Sequence, residues 1–383
     1  MTRDAVIVEA VRTPVGRRNG VLSSVHPADL SAMVLQALVT RTGIDPAVVD
    51  DVIWGCVSQV GEQTFDIART AVLSAGWPEH VPGTTVDRQC GSSQQAVHFA
   101  AAGVIAGHYD VVVAGGVESM SRVPMSSPMA NGQNPLGTYY LERYGTTFPN
   151  QGVGAEMIAK QWGFSRTQLD EFSLSSHEKA AAAIDAGRFA QQIIPITLAD
   201  GTVINTDEGV RRGGSLETLA GLKTPFWENG VITAGNASQI SDGSAALLIT
   251  TVEKARELGL APIARVHTAV VIGSAPMPML TGPIPATQKI LARSGLKLHE
   301  IGAFEVNEAF ASVPLAWLHE IGAPMQALNP NGGAIAMGHP LGASGARLMT
   351  TLVHHMRDNG IRYGLQTMCE GGGQANATIL ELL

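Results

Sequence analysis

Two cysteines, a histidine and an asparagine stand where covalent and proton-transfer chemistry could be built. Cys90 lies in Val86-Asp-Arg-Gln-Cys90-Gly-Ser-Ser-Gln-Gln-Ala, between an extended run and a helical one. The first turn of a helix has free N–H groups and a dipole that favours a thiolate. Thiols so placed ionise at roughly 3.5–7.5 instead of about 8.5. Cys90 is thus a candidate nucleophile, and the position also suits a buried structural cysteine. His339 lies in Asn329-Pro-Asn-Gly-Gly-Ala-Ile-Ala-Met-Gly-His339-Pro-Leu-Gly-Ala-Ser-Gly, where Pro340 fixes the backbone after it. It is a candidate base; most of the 11 histidines are expected to be structural or exposed. Cys369 ends an apolar run and is followed, after Glu370, by Gly371, Gly372 and Gly373. Their N–H groups could face an anionic oxygen; a core cysteine at a strand end reads equally well. Asn307, in Val306-Asn-Glu-Ala-Phe-Ala, could hold a water or simply cap a helix. Cys56 reads as packing. There is no metal-ligand spacing, no phosphate loop ending in Gly-Lys and no glycine-rich dinucleotide motif.

The elements that must position these residues alternate. Extended runs fall at 5–9, 51–56, 84–87 and 110–114, and helical patterns at 30–38, 65–75 and 94–105. Gly43 and Gly76 stand at helix stops. The alternation implies an α/β fold with a mostly parallel sheet and covering helices. The chain also repeats itself: Gly43 matches Gly295 and Cys90 matches Gly342, both at an offset of 252. Each copy then runs through a helix and an apolar strand into glycines. Three units follow: residues 1–120 with 245–271, an inserted segment 121–244, and residues 272–383. The insertion carries helical patterns at 155–162 and 168–186, the second opened by a capping box of Ser165 and Gln168.

Composition narrows the function classes. The 383 residues are 45% hydrophobic and 15% charged, enough for a large core and not for disorder. A net charge of −8 argues against nucleic acid or an anionic membrane as the main partner. Three cysteines make no disulfide framework, and no apolar run reaches about 18 residues. Asp4 and Glu9 interrupt the start, so no signal peptide is expected, and Glu-Leu-Leu at the end is no peroxisomal address. The expected location is cytoplasmic, with no membrane insertion.

Taken together, the motifs resemble the thiolase family. They are Asp87-Arg-Gln-Cys90-Gly-Ser, Ala114-Gly-Gly-Val-Glu-Ser-Met-Ser, Thr233-Ala-Gly-Asn-Ala-Ser-Gln-Ile-Ser-Asp-Gly, Gly282-Pro-Ile-Pro-Ala, Val306-Asn-Glu-Ala-Phe-Ala, Asn331-Gly-Gly-Ala-Ile-Ala-Met-Gly-His339-Pro-Leu-Gly-Ala-Ser-Gly and Cys369-Glu-Gly-Gly-Gly-Gln-Ala. They stand in family order over nearly the whole chain. The resemblance implies a layered αβαβα fold of two duplicated halves with mixed sheets and an inserted loop domain. It implies CoA-dependent cleavage of 3-ketoacyl-CoA, or the reverse condensation, with acetoacetyl-CoA formation as the alternative. Coenzyme A and acyl-CoA would be substrates, with no metal, nicotinamide or flavin, in a homodimer or homotetramer.

It also implies roles for residues. Cys90 would carry the acyl group, His339 would activate it, and Cys369 would move the proton at the α-carbon. Asn307 would hold a water beside His339, and the Cys90 and Gly371 amides would form an oxyanion site. Ser238, Phe226, Ala234, Ala309 and Phe310 match contacts to the pantetheine arm, and Arg211 a basic residue near the nucleotide phosphates. Two positions depart from the pattern. Asn150-Gln151 replaces the His-Met pair of short-chain biosynthetic thiolases, and Glu370 follows the second cysteine where an apolar residue is frequent. The chain looks closer to actinobacterial thiolases of fatty-acyl or steroid breakdown. A β-ketoacyl synthase shares the fold and a cysteine nucleophile but not Cys369 with its glycines. A CoA- or lipid-binding protein without catalysis is the non-enzyme alternative.

Overall fold

The computed structural model describes residues 3–132, 134–145 and 148–383. The first two residues, part of the stretch read for a leader, lie outside it. In chain order the first half is β1 (Val6–Arg12), β2 (Gly16–Arg17), α1 (Pro27–Thr42), β3 (Asp51–Gly55), α2 (Ile67–Ser74), β4 (Thr84–Val86), α3 (Ser92–Ala106) and β5 (Val111–Ser119). The insertion holds α4 (Thr138–Tyr144), α5 (Gln151–Trp162), α6 (Arg166–Asp185), a two-stranded ribbon of β6 (Ile196–Thr197) and β7 (Val203–Ile204), and α7 (Leu216–Ala220). β8 (Ser241–Thr250) and α8 (Val252–Glu257) return to the first half. The second half is β9 (Ala264–Gly273), α9 (Pro283–Ser294), β10 (Ile301–Val306), α10 (Ser312–Ile321), α11 (Ala334–Met337), α12 (Ser344–Asn359), β11 (Tyr363–Glu370) and β12 (Gln374–Leu382).

Strand pairing runs in the order β10-β11-β12-β9-β1-β8-β5-β3-β4, with β2 added to β8. Between β1 and β9 only Val6–Arg265 and Ile7–Ala264 carry it, so the two halves meet at a narrow seam. The sheets are mixed, not mostly parallel. Only β3–β4, β3–β5 and β10–β11 run parallel, because β8, β1, β12 and β9 each return antiparallel to a neighbour. β9, drawn from sequence into the first half, pairs with β12 from Ala264 to Gly273 and so sits in the second sheet.

The layers follow from the period-2 alternation of the strands. On β1 and β5, Val6, Val8, Val11, Val111 and Val113 face the core beneath α1 and α2. Ile7, Ala10, Val112 and Ala114 face the opposite way, onto α3 and α12. These two helices pack on each other and on both sheets. On the far side α9 covers β9, β11 and β12, and α10 packs on α9 and through Trp317 on Phe304 of β10, in a second core that also holds Leu365. The result is the five-layer αβαβα arrangement.

The repeat is visible as geometry. α3 and α12 begin at Ser92 and Ser344, β5 and β11 at Val111 and Tyr363, and short 3-10 turns span Pro46–Val48 and Leu298–Glu300. All three pairs keep the offset of 252 read from the sequence. α1 and α9 both end on a left-handed glycine, Gly43 at φ 70° and Gly295 at φ 75°. Inside the insertion the capping box of Ser165 and Gln168 opens α6. The buried ion pair of Arg12 with Asp207, at 2.7 and 2.9 Å, ties the insertion to β1.

Candidate active site

Cys90 stands between β4 and α3, with only 6% of its surface exposed. Gln89 before it takes φ 48°, a left-handed turn that brings the chain round into the helix. The thiol is not acidic here. Burial, and then the neighbouring charge of Glu370, push its pKa up to about 12, while hydrogen bonds from the backbone N–H groups of Cys90 and Gly371 act the other way. The lowered pKa expected from the helix entrance is corrected accordingly: desolvation outweighs the dipole, because the sulfur has lost most of its water. The free protein therefore holds Cys90 as a thiol, and reaction requires a base.

His339 is the candidate. It is buried on the loop between α11 and α12. Its N–H donates to the Gln239 carbonyl at 3.1 Å, which ties the loop to the chain leaving the insertion. Ser344 Oγ donates its single proton to the Pro340 carbonyl at 2.8 Å, and His339 Nδ1 lies 2.6 Å from the same oxygen. Nδ1 must then carry the ring proton, which leaves Nε2 as the acceptor. Asn307 Nδ2 approaches Nε2 at 3.3 Å. Burial, then the charge of Arg347, lower the His339 pKa to about 3, so the ring is neutral across the physiological range.

Asn307 follows β10 and is fully buried, and its Oδ1 has no hydrogen-bond partner among the described residues. That oxygen is suited to a water. The turn is set by Asn329, whose side chain bonds the Val306 N–H and carbonyl and Glu308. Glu308 in turn accepts from Ser176 of α6 and the Ile335 N–H of α11. Cys369, on β11, is fully buried, and burial and the adjacent Cys90 raise its pKa well above the ordinary thiol value. After Glu370 the chain turns through Gly372 and Gly373, both at positive φ near 80°.

Cys90, His339 and Gly371 line one cavity of about 390 Å³. Phe226, Ser238 and Phe310 line it too, and Phe226 meets Phe310 edge-on at 6.2 Å. The Ser238 N–H donates to the Ala309 carbonyl at 2.9 Å, which zips the two loops together. Asn150, Gln151, Met120, Met125 and Met129 form more of the wall. Ala309 is buried behind that wall, and Ala234 is exposed outside it. Arg211 is exposed in a separate surface pocket with His177 and Arg212, its N–H donating to His177 Nδ1 at 3.0 Å. Sequence reading missed Ser344 and Asn329. Both lie inside the glycine-rich motif quoted for His339, where serine and asparagine look like ordinary loop residues. Among the described residues no group of three or more His, Cys, Asp or Glu is placed to hold a metal.

The thiolase N-terminal domain model matches residues 5–253 and the C-terminal domain model residues 260–382. This chain belongs to the thiolase family. It is 50% identical to a steroid 3-ketoacyl-CoA thiolase of Mycobacterium tuberculosis, over 99% of this chain and 94% of that one. It is 44% identical to a 3-oxoadipyl-CoA/3-oxo-5,6-dehydrosuberyl-CoA thiolase of Escherichia coli, over 99% of both. The crystal structure of an acetyl-CoA acetyltransferase of Bacillus anthracis superposes with a TM-score of 0.92 at 38% identity, covering 100% of this chain and 99% of that one.

Proposed function

We propose that this thiolase cleaves 3-ketoacyl-CoA with coenzyme A, through an acyl group carried on Cys90. What supports this most is the convergence of Cys90, His339 and the Gly371 amide on one cavity, with Cys369 close enough to Cys90 to feel its charge. His339 Nε2 takes the Cys90 proton, and the sulfur attacks the 3-keto carbon. The Cys90 and Gly371 N–H groups face the oxygen that gains charge. The C2–C3 bond then breaks, Cys369 protonates the departing carbon, and acetyl-CoA leaves. Cys369, now a thiolate, takes the thiol proton of an incoming coenzyme A. Its sulfur attacks the acyl-enzyme, and a shortened acyl-CoA departs as His339 returns the proton to Cys90. Asn307 holds a water beside His339. The pantetheine arm lies along Phe226, Ser238 and Phe310, flanked by Ala234 and Ala309, and the nucleotide phosphates lie toward Arg211. The inserted segment carries Arg211, Phe226, Ala234 and Ser238 of these contacts, and the second half carries Ala309 and Phe310; the protein works as a homodimer or homotetramer in the cytoplasm.

The acyl group is bulkier than acetoacetyl. Asn150 and Gln151 stand in the cavity wall where short-chain enzymes carry a His-Met pair. Asn150 also caps α5, its Oδ1 accepting from Gly152 at 2.9 Å and Val153 at 3.2 Å, so that part of the wall is fixed. Thiolysis rates across 3-ketoacyl-CoA substrates of increasing size test this. The expected kcat/KM rises from acetoacetyl-CoA to medium-chain or ring-bearing substrates; a maximum at acetoacetyl-CoA overturns it.

A further inference from the structure

Glu370 is a fully buried carboxyl to which the reaction above gives no task. It follows Cys369 at the end of β11, and neither of its oxygens has a hydrogen-bond partner among the described residues. It lies over the first turn of α3: a methyl added to Gly91 would fall 2.0 Å from its Oε1. Gly91 is the residue between Cys90 and the helix, so the carboxyl occupies the space that its missing side chain leaves. Asn376 borders the same space, with its Nδ2 on the Gly91 carbonyl at 3.0 Å and its Oδ1 unpartnered.

The repeat provides an internal control. At the offset of 252, Glu370 corresponds to Glu118, the last residue but one of β5, which reaches the turn before α12 through the Gly342 N–H. Glu118 is equally buried, yet four donors satisfy it: the Val57 and Ser58 N–H groups at 3.0 and 3.1 Å, Gln63 Nε2 at 2.7 Å and the Gly342 N–H at 2.8 Å. Glu118 is what a structural carboxyl looks like in this fold. Glu370 keeps the position and lacks every bond, and its helix carries the nucleophile. A buried carboxyl without partners costs stability, and such costs are characteristic of functional positions.

We propose that Glu370 is a positioning residue that sets when Cys90 can ionise, because its carboxyl and the Cys90 thiolate compete for the same helix entrance, which favours one negative charge and not two. The groups around it are Asp87, Arg88, Cys90 and Cys369, together with the neutral Asn376. Burial raises its pKa to about 8, with the Arg88 charge opposing and Asp87 adding. Below that pH the carboxyl is neutral and thiolate formation is least opposed. Above it the carboxylate repels the thiolate.

The test rests on Cys90 being accessible to reagent, not on turnover, so it stands apart from the reading of Cys90 as nucleophile. The rate of Cys90 alkylation by iodoacetamide, located by peptide mass, is followed against pH in the wild type and in Glu370→Gln. Removing a like charge should move the alkylation profile down by roughly one pH unit, about tenfold in rate at a fixed pH above 8. An unmoved profile in a folded variant overturns the proposal. Should Glu370→Gln not fold, Glu370→Met takes its place; it removes the same charge, so the same downward move of the profile is expected, and an unmoved profile overturns the proposal. If Cys90 is not the nucleophile, Cys90→Ala keeps its turnover, a result that the alkylation profile neither predicts nor needs.

Discussion

The two central helices start at equivalent points of one repeat and do different work there. At the entrance of α3 the chain presents Cys90, the backbone N–H groups and an unpartnered Glu370. At the entrance of α12 the Cys90 position is Gly342, Glu118 is fully bonded, and the chemistry has moved three residues upstream to His339. The difference teaches how a duplicated unit divides labour. One copy needs close backbone approach: a methyl at Gly342 would meet the Val117 carbonyl at 2.6 Å and Cys56 Cα at 2.7 Å. That tight seat fixes the loop that carries His339. The other copy leaves its carboxyl without hydrogen bonds among the described residues and opens Cys90 and Gly371 onto a cavity. With the proposed nucleophile on one copy and its proposed base on the other, the proposed reaction depends on the packing of α3 against α12.

Breaking the α3 entrance should have the largest effect. Cys90→Ala should lower thiolysis and condensation by roughly 10⁴-fold or more with the fold intact. Normal turnover by that variant would remove the covalent mechanism. Cys369→Ala should lower carbon–carbon cleavage and formation by roughly 10²–10⁴-fold. It should still form the acyl-enzyme from acyl-CoA, seen as a mass increase on Cys90, since the departing CoA thiolate needs at most a weak donor. A folded variant that does not acylate would show Cys369 acting in both half-reactions. On the α12 side the effect should be smaller. Ser344→Ala frees His339 Nδ1 and lets the ring take either tautomer. One neutral hydrogen bond corresponds to roughly tenfold in rate, so kcat should fall by about that factor with KM unchanged. A fall in KM-dependent terms alone would place Ser344 in binding, not in orienting the ring.

Most of the architecture was legible because it rests on local patterns. Glycine stops, the capping box at Ser165 and the offset of 252 all reappear as geometry. Strand direction was not legible: short apolar runs read alike in parallel and antiparallel sheets, and the long antiparallel β8, β9 and β12 lay outside the alternation used to infer it. β9 was drawn mostly with the first half, while its pairing runs chiefly along β12 and only at Ala264 and Arg265 along β1. Cys90, His339, Gly371, Phe226, Ser238 and Phe310 do converge on one cavity. The ionisation of Cys90 was misjudged because a sequence shows a helix entrance but not the burial that opposes it. Ser344 and Asn329 escaped notice because their task is to hold a neighbour, and only distances reveal that.

A last contrast separates the two carboxyls by their bonds: burial raises the pKa of Glu118 as it raises that of Glu370, but only Glu118 has hydrogen bonds that glutamine would break. Glu118 accepts from four donors. The amide of a glutamine there would turn an NH₂ toward N–H groups that need an acceptor. Glu118→Gln should therefore lose roughly 2–4 kcal/mol of unfolding free energy. Among the described residues Glu370 has no partners to lose, and its folded pKa of about 8 lies above the ordinary carboxyl value of 4.5. A carboxyl whose folded pKa is raised supports the fold fully only below its unfolded value, and that support is lost as pH rises through the folded one. Glutamine cannot ionise. Glu370→Gln should then match the wild type below about pH 4.5 and become progressively more stable than it up to about pH 8. Urea unfolding of both variants at pH 4.5, 6 and 8 reads the two signs directly. If Glu370→Gln is destabilised at pH 8 as Glu118→Gln is, Glu370 makes bonds of its own in solution, and the contrast between the two helix entrances fails.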